Sequence, residues 1–205
     1  LPMGATSGKS AMLSAVSSSS FTMICGIFLA LFVCSDYSEQ TIKNIYSRGF
    51  SRGKVYIAKF TAGITATIIM FAVTLVFNLA AGSLIFSNGA SPTGNYAGLI
   101  LGQLITCIAY SSFVFAICLI VKKVGSSIAL AILGPSLISA LLSLADAFLK
   151  IENFKISGYW LEGLLGDLSS AATSSSRLTV CIILSIIYAV AFATAGYFIN
   201  KKQDN

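Results

Sequence analysis

The chain contains no histidine at all, and only 10% of its residues are charged. The first absence removes the commonest metal ligand and proton shuttle. Its five cysteines, Cys25, Cys34, Cys107, Cys118 and Cys181, all sit in apolar runs, which gives neither a disulfide framework nor metal-ligand spacing. The residues therefore point to no metal site and no catalytic site. The scarcity of charge excludes an ordinary soluble domain, where about a quarter of residues are charged. Hydrocarbon takes its place: 56% of the 205 residues are apolar and the mean hydropathy is +0.88. Lipid must be the solvent for much of this chain.

A membrane-spanning helix needs about 20 apolar residues at 1.5 Å each. Ser10 to Ser35 carry no charge and hold the run FTMICGIFLALFVC, which is enough for one span. Phe60 to Val121 also carry no charge, and that run is too long for one helix. The insert SNGASPTGNY, Ser87 to Tyr96, has the Gly, Pro and Asn of a turn and divides it in two. The continuous apolar character excludes barrel strands, which alternate. The expectation is one all-α, polytopic domain over 1–205, with spans at about 14–35, 61–86, 97–121, 124–148 and 178–200.

Lys and Arg set the orientation. Lys43, Arg48, Arg52, Lys54, Lys59, Lys122, Lys123, Lys201 and Lys202 fall on one side, with Asp36, Glu39 and Asp204. The other side has Lys9, Lys150, Lys155 and Arg177 beside Asp146, Glu152, Glu162 and Asp167. The positive-inside rule places the first group in the cytoplasm, with the visible N-terminus outside and the C-terminus inside. The net charge of +6 is thus a topology signal and implies no nucleic acid. An external start with an odd number of spans points to one further N-terminal helix, making six in the full-length protein.

The stretch GATSGKS, Gly4 to Ser10, resembles a phosphate-binding loop but is one residue short of G-x-x-x-x-G-K-[ST]. It also falls on the outer side and leads into a span instead of a βαβ unit. It reads as a polar turn.

The densest polar stretch, DYSEQTIKNIYSRGFSRGKVYIAKF, occupies the cytoplasmic link 36–60. Ile42, Ile45 and Tyr46 follow i, i+3, i+4 and share one face of a short amphipathic helix. Alone in water it is too short to be stable, so it needs a membrane surface or a protein groove. Gly49 ends it, and Ser51 stands as N-cap of the next helix. A basic helix anchored on anionic lipid accounts for the composition equally well.

The pattern D-Y-x-x-x-T-I-K-N-x-x-S-R-G-x-S-R-x-x-x-Y-x-x-K resembles the link between the second and third helices of ABC type-2 transporter permeases. The matching residues are Asp36, Tyr37, Thr41, Ile42, Lys43, Asn44, Ser47, Arg48, Ser51, Arg52 and Lys59. Gln40 and Gly49 depart from it, where the family often has Gly and Pro. The order of spans and the outer segment 149–177 before the last helix are similar too. The resemblance implies the membrane subunit of an exporter in the bacterial plasma membrane, with no catalytic site of its own. The link would be the coupling helix, docking on a cytoplasmic ATP-binding subunit that holds ATP and Mg. Asp36, Thr41, Ile42, Lys43, Ile45, Tyr46, Arg48 and Arg52 would make that contact, and a second permease subunit would complete a homo- or heterodimer. Asp36 would pair with a Lys or Arg of the same link. The cargo is not readable.

Several further positions carry expectations. Gly98 and Gly102 form a GxxxG for close helix packing. Asn78 and Gln103 lie within spans, where interhelical hydrogen bonds would satisfy them. Asp146 and Lys150 are spaced for an i, i+4 ion pair. Pro135 predicts a kink in its span. The segment with Tyr159, Trp160 and Leu161 reads as a re-entrant or interfacial helix with an aromatic anchor. Two other functions were open: an ion-coupled secondary transporter, which wants an ionisable group at mid-membrane that the spans do not supply, and a non-transporting anchor or sensor.

Overall fold

The computed structural model describes residues 8–39, 47–85, 95–149, 155–170 and 173–202, with Lys9, Arg52, Ile85 and Leu149 described in backbone only. Every described element is helical: α1 (Gly8–Val16), α2 (Ser19–Ser38), α3 (Arg52–Ile85), α4 (Tyr96–Val121), α5 (Val124–Leu149), a 3-10 turn (Ile156–Tyr159), α6 (Leu161–Leu168) and α7 (Ser175–Lys202). Of these, α2, α3, α4, α5 and α7 are long and apolar enough to cross a membrane.

The first expected span resolves into two helices. The serine run Ser17–Ser20 divides them, because serine hydroxyls compete for backbone partners. Ser17 Oγ donates to the Leu13 carbonyl at 2.9 Å and Ser18 Oγ to that of Ala15 at 2.6 Å. Ser18 itself is extended, and its Oγ accepts from the Phe21 N–H at 3.4 Å as the N-cap of α2. The Gly8, Lys9 and Ser10 of the loop-like N-terminal stretch begin α1, whose Ala11, Leu13 and Val16 are buried, chiefly against α3. Gly4 to Ser7 lie outside the described residues.

The other spans start where their caps allow. Asn95 caps α4 by accepting from the Gly98 N–H at 3.1 Å. Lys122 ends α4 in the left-handed region (φ 55°), and with Lys123 it makes the short turn into α5. Gly49 has φ 83°, a conformation glycine adopts without a Cβ clash, where the link turns towards α3. Ser51 directly precedes α3, and its carbonyl accepts from Lys54 and Val55. At 34 residues α3 is about 50 Å long, more than a hydrocarbon core of about 30 Å needs, so it extends beyond the membrane.

The core is organised around α4. In its apolar window 61% of residues are buried, against 11% in each of α3, α5 and α7. It packs most extensively on α7, with α2 on another side, and α2 bridges it to α5. Leu29, Val33, Tyr56, Phe113, Phe115 and Leu119 fill this centre. Buried hydroxyls tie the spans: Thr67 to Ser111 at 2.9 Å and Thr106 to Ser185 at 2.7 Å. In lipid such bonds contribute about 0.6–2 kcal/mol each. The outward faces of α3, α5 and α7 are Ile, Leu, Val and Phe, as hydrocarbon contact demands.

Candidate functional site

One end of the bundle gathers the basic residues. The carboxylate of Asp36, near the end of α2, forms an ion pair with Lys59, in the second turn of α3. The Tyr37 ring lies beneath both Lys59 Nζ, at 5.6 Å, and Lys122 Nζ, at 5.8 Å. Cys34 Sγ and Ser127 Oγ approach to 3.2 Å, and Tyr56 Oη donates to the Ala193 carbonyl at 2.7 Å. These contacts bring the ends of α2, α4 and α7 and the starts of α3 and α5 to one basic face. Arg48 and Lys54 stand exposed there, as do Lys122, Lys123, Lys201 and Lys202.

The sequence-expected contact residues divide on this face. Asp36 pairs within the link, Arg48 is exposed, and Arg52 begins α3. Thr41, Ile42, Lys43, Ile45 and Tyr46 lie outside the described residues. Beside the start of α3, Phe50, Val55 and Ala58 line an apolar groove of about 390 Å³ rimmed by Lys54 and Lys59.

The segment before α7 enters the bundle, so it is re-entrant and not interfacial. Trp160 is buried, and its indole N–H donates to the Pro135 carbonyl at 3.1 Å. Pro135 sits about half-way along the 26-residue α5, roughly 17 Å from its first residue. Leu161, Leu164, Leu165 and Leu168 bury one face of α6. The carboxylate of Asp146 accepts from the Ile156 and Ser157 N–H groups at 2.8 and 2.9 Å, fixing the entrance. That is backbone capture; the expected partner of Asp146, Lys150, lies outside the described residues. Arg177 staples the exit: its Nε donates to Asp167 at 2.7 Å, its Nη2 to the Gly158 carbonyl at 3.0 Å, and it covers the Tyr159 ring at 4.5 Å.

Backbone proximity makes the hairpin possible. A Cβ on Gly163 would stand 2.5 Å from the Ser157 carbonyl oxygen and 2.8 Å from the Gly158 Cα, so only glycine fits. Pro135 serves the same architecture. It has no N–H for the Ala131 carbonyl, which instead accepts from Tyr110 Oη at 2.8 Å. Helix α5 continues through the proline.

Gln103 and the two glycines take different roles. Gln103 is fully buried, and its Nε2 donates to the carbonyls of Leu13 at 2.9 Å and Leu168 at 3.1 Å. It thereby clamps the C-terminal ends of both short helices, α1 and α6. Asn78 bridges no helices among the described residues; its Nδ2 donates to Thr74 on its own helix at 2.9 Å, the i−4 carbonyl being in reach. Gly102 packs inside the chain, with Leu168 3.0 Å and Ile182 3.5 Å from the place of a Cβ. At Gly98 the nearest atoms belong to its own Asn95 cap, so this residue serves the helix start.

The re-entrant segment carries Glu162 into contact with α5. Ser136 Oγ, at mid-α5, donates to Glu162 Oε1 at 2.9 Å. Glu162 thus meets α5 half-way along its length and lies beside the first turn of α2. By its place in the outer segment 149–177 it is expected on the outer side, and the hairpin brings it to α5. Ser17, Ser19, Thr22, Ser136, Glu162 and Leu165 line a half-open pocket of about 250 Å³.

These features define a polytopic helical membrane protein with a basic face at one end and a re-entrant hairpin entering from the other. The chain belongs to the family described as protein of unknown function DUF2705, whose model matches residues 5–205. No curated protein and no solved structure matches it.

Proposed function

We propose that the chain is the membrane-spanning permease subunit of an ATP-binding cassette exporter in a bacterial plasma membrane. The observation that carries this reading is the Asp36–Lys59 ion pair across the two ends of the link. It closes the segment into one unit on the basic face and joins it to two core helices, α2 and α3. A load applied to such a unit reaches the bundle; a loose interfacial tether would dissipate it. Under the positive-inside rule that face is cytoplasmic, where a separate subunit would bind and hydrolyse ATP with Mg. The exposed Arg48 and Lys54 and the nearby apolar groove suit a partner surface with acidic and apolar groups.

Two permease copies, or two related subunits, would enclose the pathway.

The reading is tested by co-purifying the full-length protein with candidate ATP-binding subunits, comparing wild type with Arg48→Glu/Arg52→Glu. Retention by wild type and loss by a normally inserted variant is the expected result. If wild type retains no such subunit, the exporter reading fails. Glu162 against the middle of α5 favours a second reading, an ion-coupled transporter, in which transport would follow an ion gradient and ignore ATP.

A further inference from the structure

The pocket beside Glu162 is built from acceptors. Ser17 Oγ spends its hydrogen on the Leu13 carbonyl at 2.9 Å, Thr22 Oγ1 on that of Ser19 at 2.9 Å, and Ser136 Oγ on Glu162 at 2.9 Å. What these hydroxyls present to the cavity is oxygen lone pairs. Glu162 adds a carboxylate, and no Lys or Arg lines the pocket or pairs with it among the described residues. That leaves a partly sheltered carboxylate with no cation partner among the described residues, which a ligand bearing a cation would complement.

The geometry also discriminates among cations. One Glu162 oxygen already accepts from Ser136, and a planar guanidinium would have to share that oxygen to bind in a bidentate way. Among the described residues no aromatic ring lines the cavity, as a quaternary ammonium would favour. At about 250 Å³ the space is too large for a close oxygen cage around a bare metal ion. A primary ammonium, with three donors radiating from a point charge, matches one carboxylate and several hydroxyl oxygens. Leu165 lines the pocket, and more of the lining surface is apolar than polar, which suits an attached hydrocarbon tail.

We propose that this pocket binds the primary ammonium group of an amphiphilic cation, held by Glu162 and the hydroxyl oxygens of Ser17, Thr22 and Ser136. The inference needs no ATP-binding partner and stands or falls apart from the permease reading.

The test is a binding isotherm for n-octylammonium on the full chain in lipid nanodiscs, with empty nanodiscs subtracted. Wild type is expected to bind one equivalent saturably. Glu162→Gln keeps the shape and the acceptor for Ser136 but removes the charge, and is expected to weaken binding at least about tenfold. A second arm uses wild type alone, so it does not depend on the variant folding. Methylammonium should displace the probe, while n-octanol and sodium ion at equal concentration should not. Undiminished binding by Glu162→Gln, equal displacement by n-octanol or by sodium, or no saturable binding above empty nanodiscs would each overturn the assignment.

Discussion

Asp36 and Lys59 stand at the two ends of the polar link and close it with an ion pair, beside the Tyr37 ring. The pair is partly sheltered, with 34% of the Asp36 side chain and 14% of the Lys59 side chain exposed. Removing one partner therefore leaves a poorly solvated charge, costing about 1–3 kcal/mol. Asp36→Lys and Lys59→Asp should each lower the melting temperature in detergent, and the exchanged double variant should recover most of the loss. Additive losses in the double variant would deny the pairing.

The Tyr110–Ala131 hydrogen bond exists because Pro135 cannot supply an N–H. Tyr110→Phe orphans the Ala131 carbonyl and should cost about 1–3 kcal/mol. Pro135→Ala restores the missing donor, so Tyr110→Phe should be milder in that background. Denaturant unfolding of the four forms measures the coupling, and equal costs in both backgrounds would show that the proline is irrelevant to this bond.

Gly163 lies against the backbone of the 3-10 turn with no room for a methyl group. Gly163→Ala should displace the hairpin at a cost of about 1–3 kcal/mol. Trp160 is the single tryptophan, which gives a direct readout. Its emission should shift to the red as the ring leaves Phe113 and Tyr188, now packed edge-on at 5.8 and 5.7 Å. Unchanged emission in a folded variant would contradict the tight approach.

Gln103 holds α1 and α6 together through one amide group. Gln103→Leu fills similar space but donates nothing. Hydrogen exchange should accelerate in both short helices at once and stay slow in α4. Acceleration in one helix alone would mean that the clamp is not shared.

The spans were legible because their apolar runs are continuous, and Asn95 or Lys122 merely fix their ends. The division of α1 from α2 was harder to see, since Ser17–Ser20 interrupts a run without adding charge. The depth of the re-entrant hairpin was not legible. In one dimension Glu162, Asp167 and Trp160 suit a re-entrant or an interfacial segment equally. Only Gly163 against Ser157, and Trp160 against Pro135, turn that segment inward. Hydrogen-bond partners that depend on such long-range docking leave no periodicity to read.

The most direct test of the permease account is a photo-reactive residue at Tyr46, in the expected coupling segment, in native membranes. The account predicts a cross-link to a nucleotide-binding subunit, absent when the same group is placed at Gly166 on the opposite face. Cross-links from Tyr46 to lipid alone would contradict it.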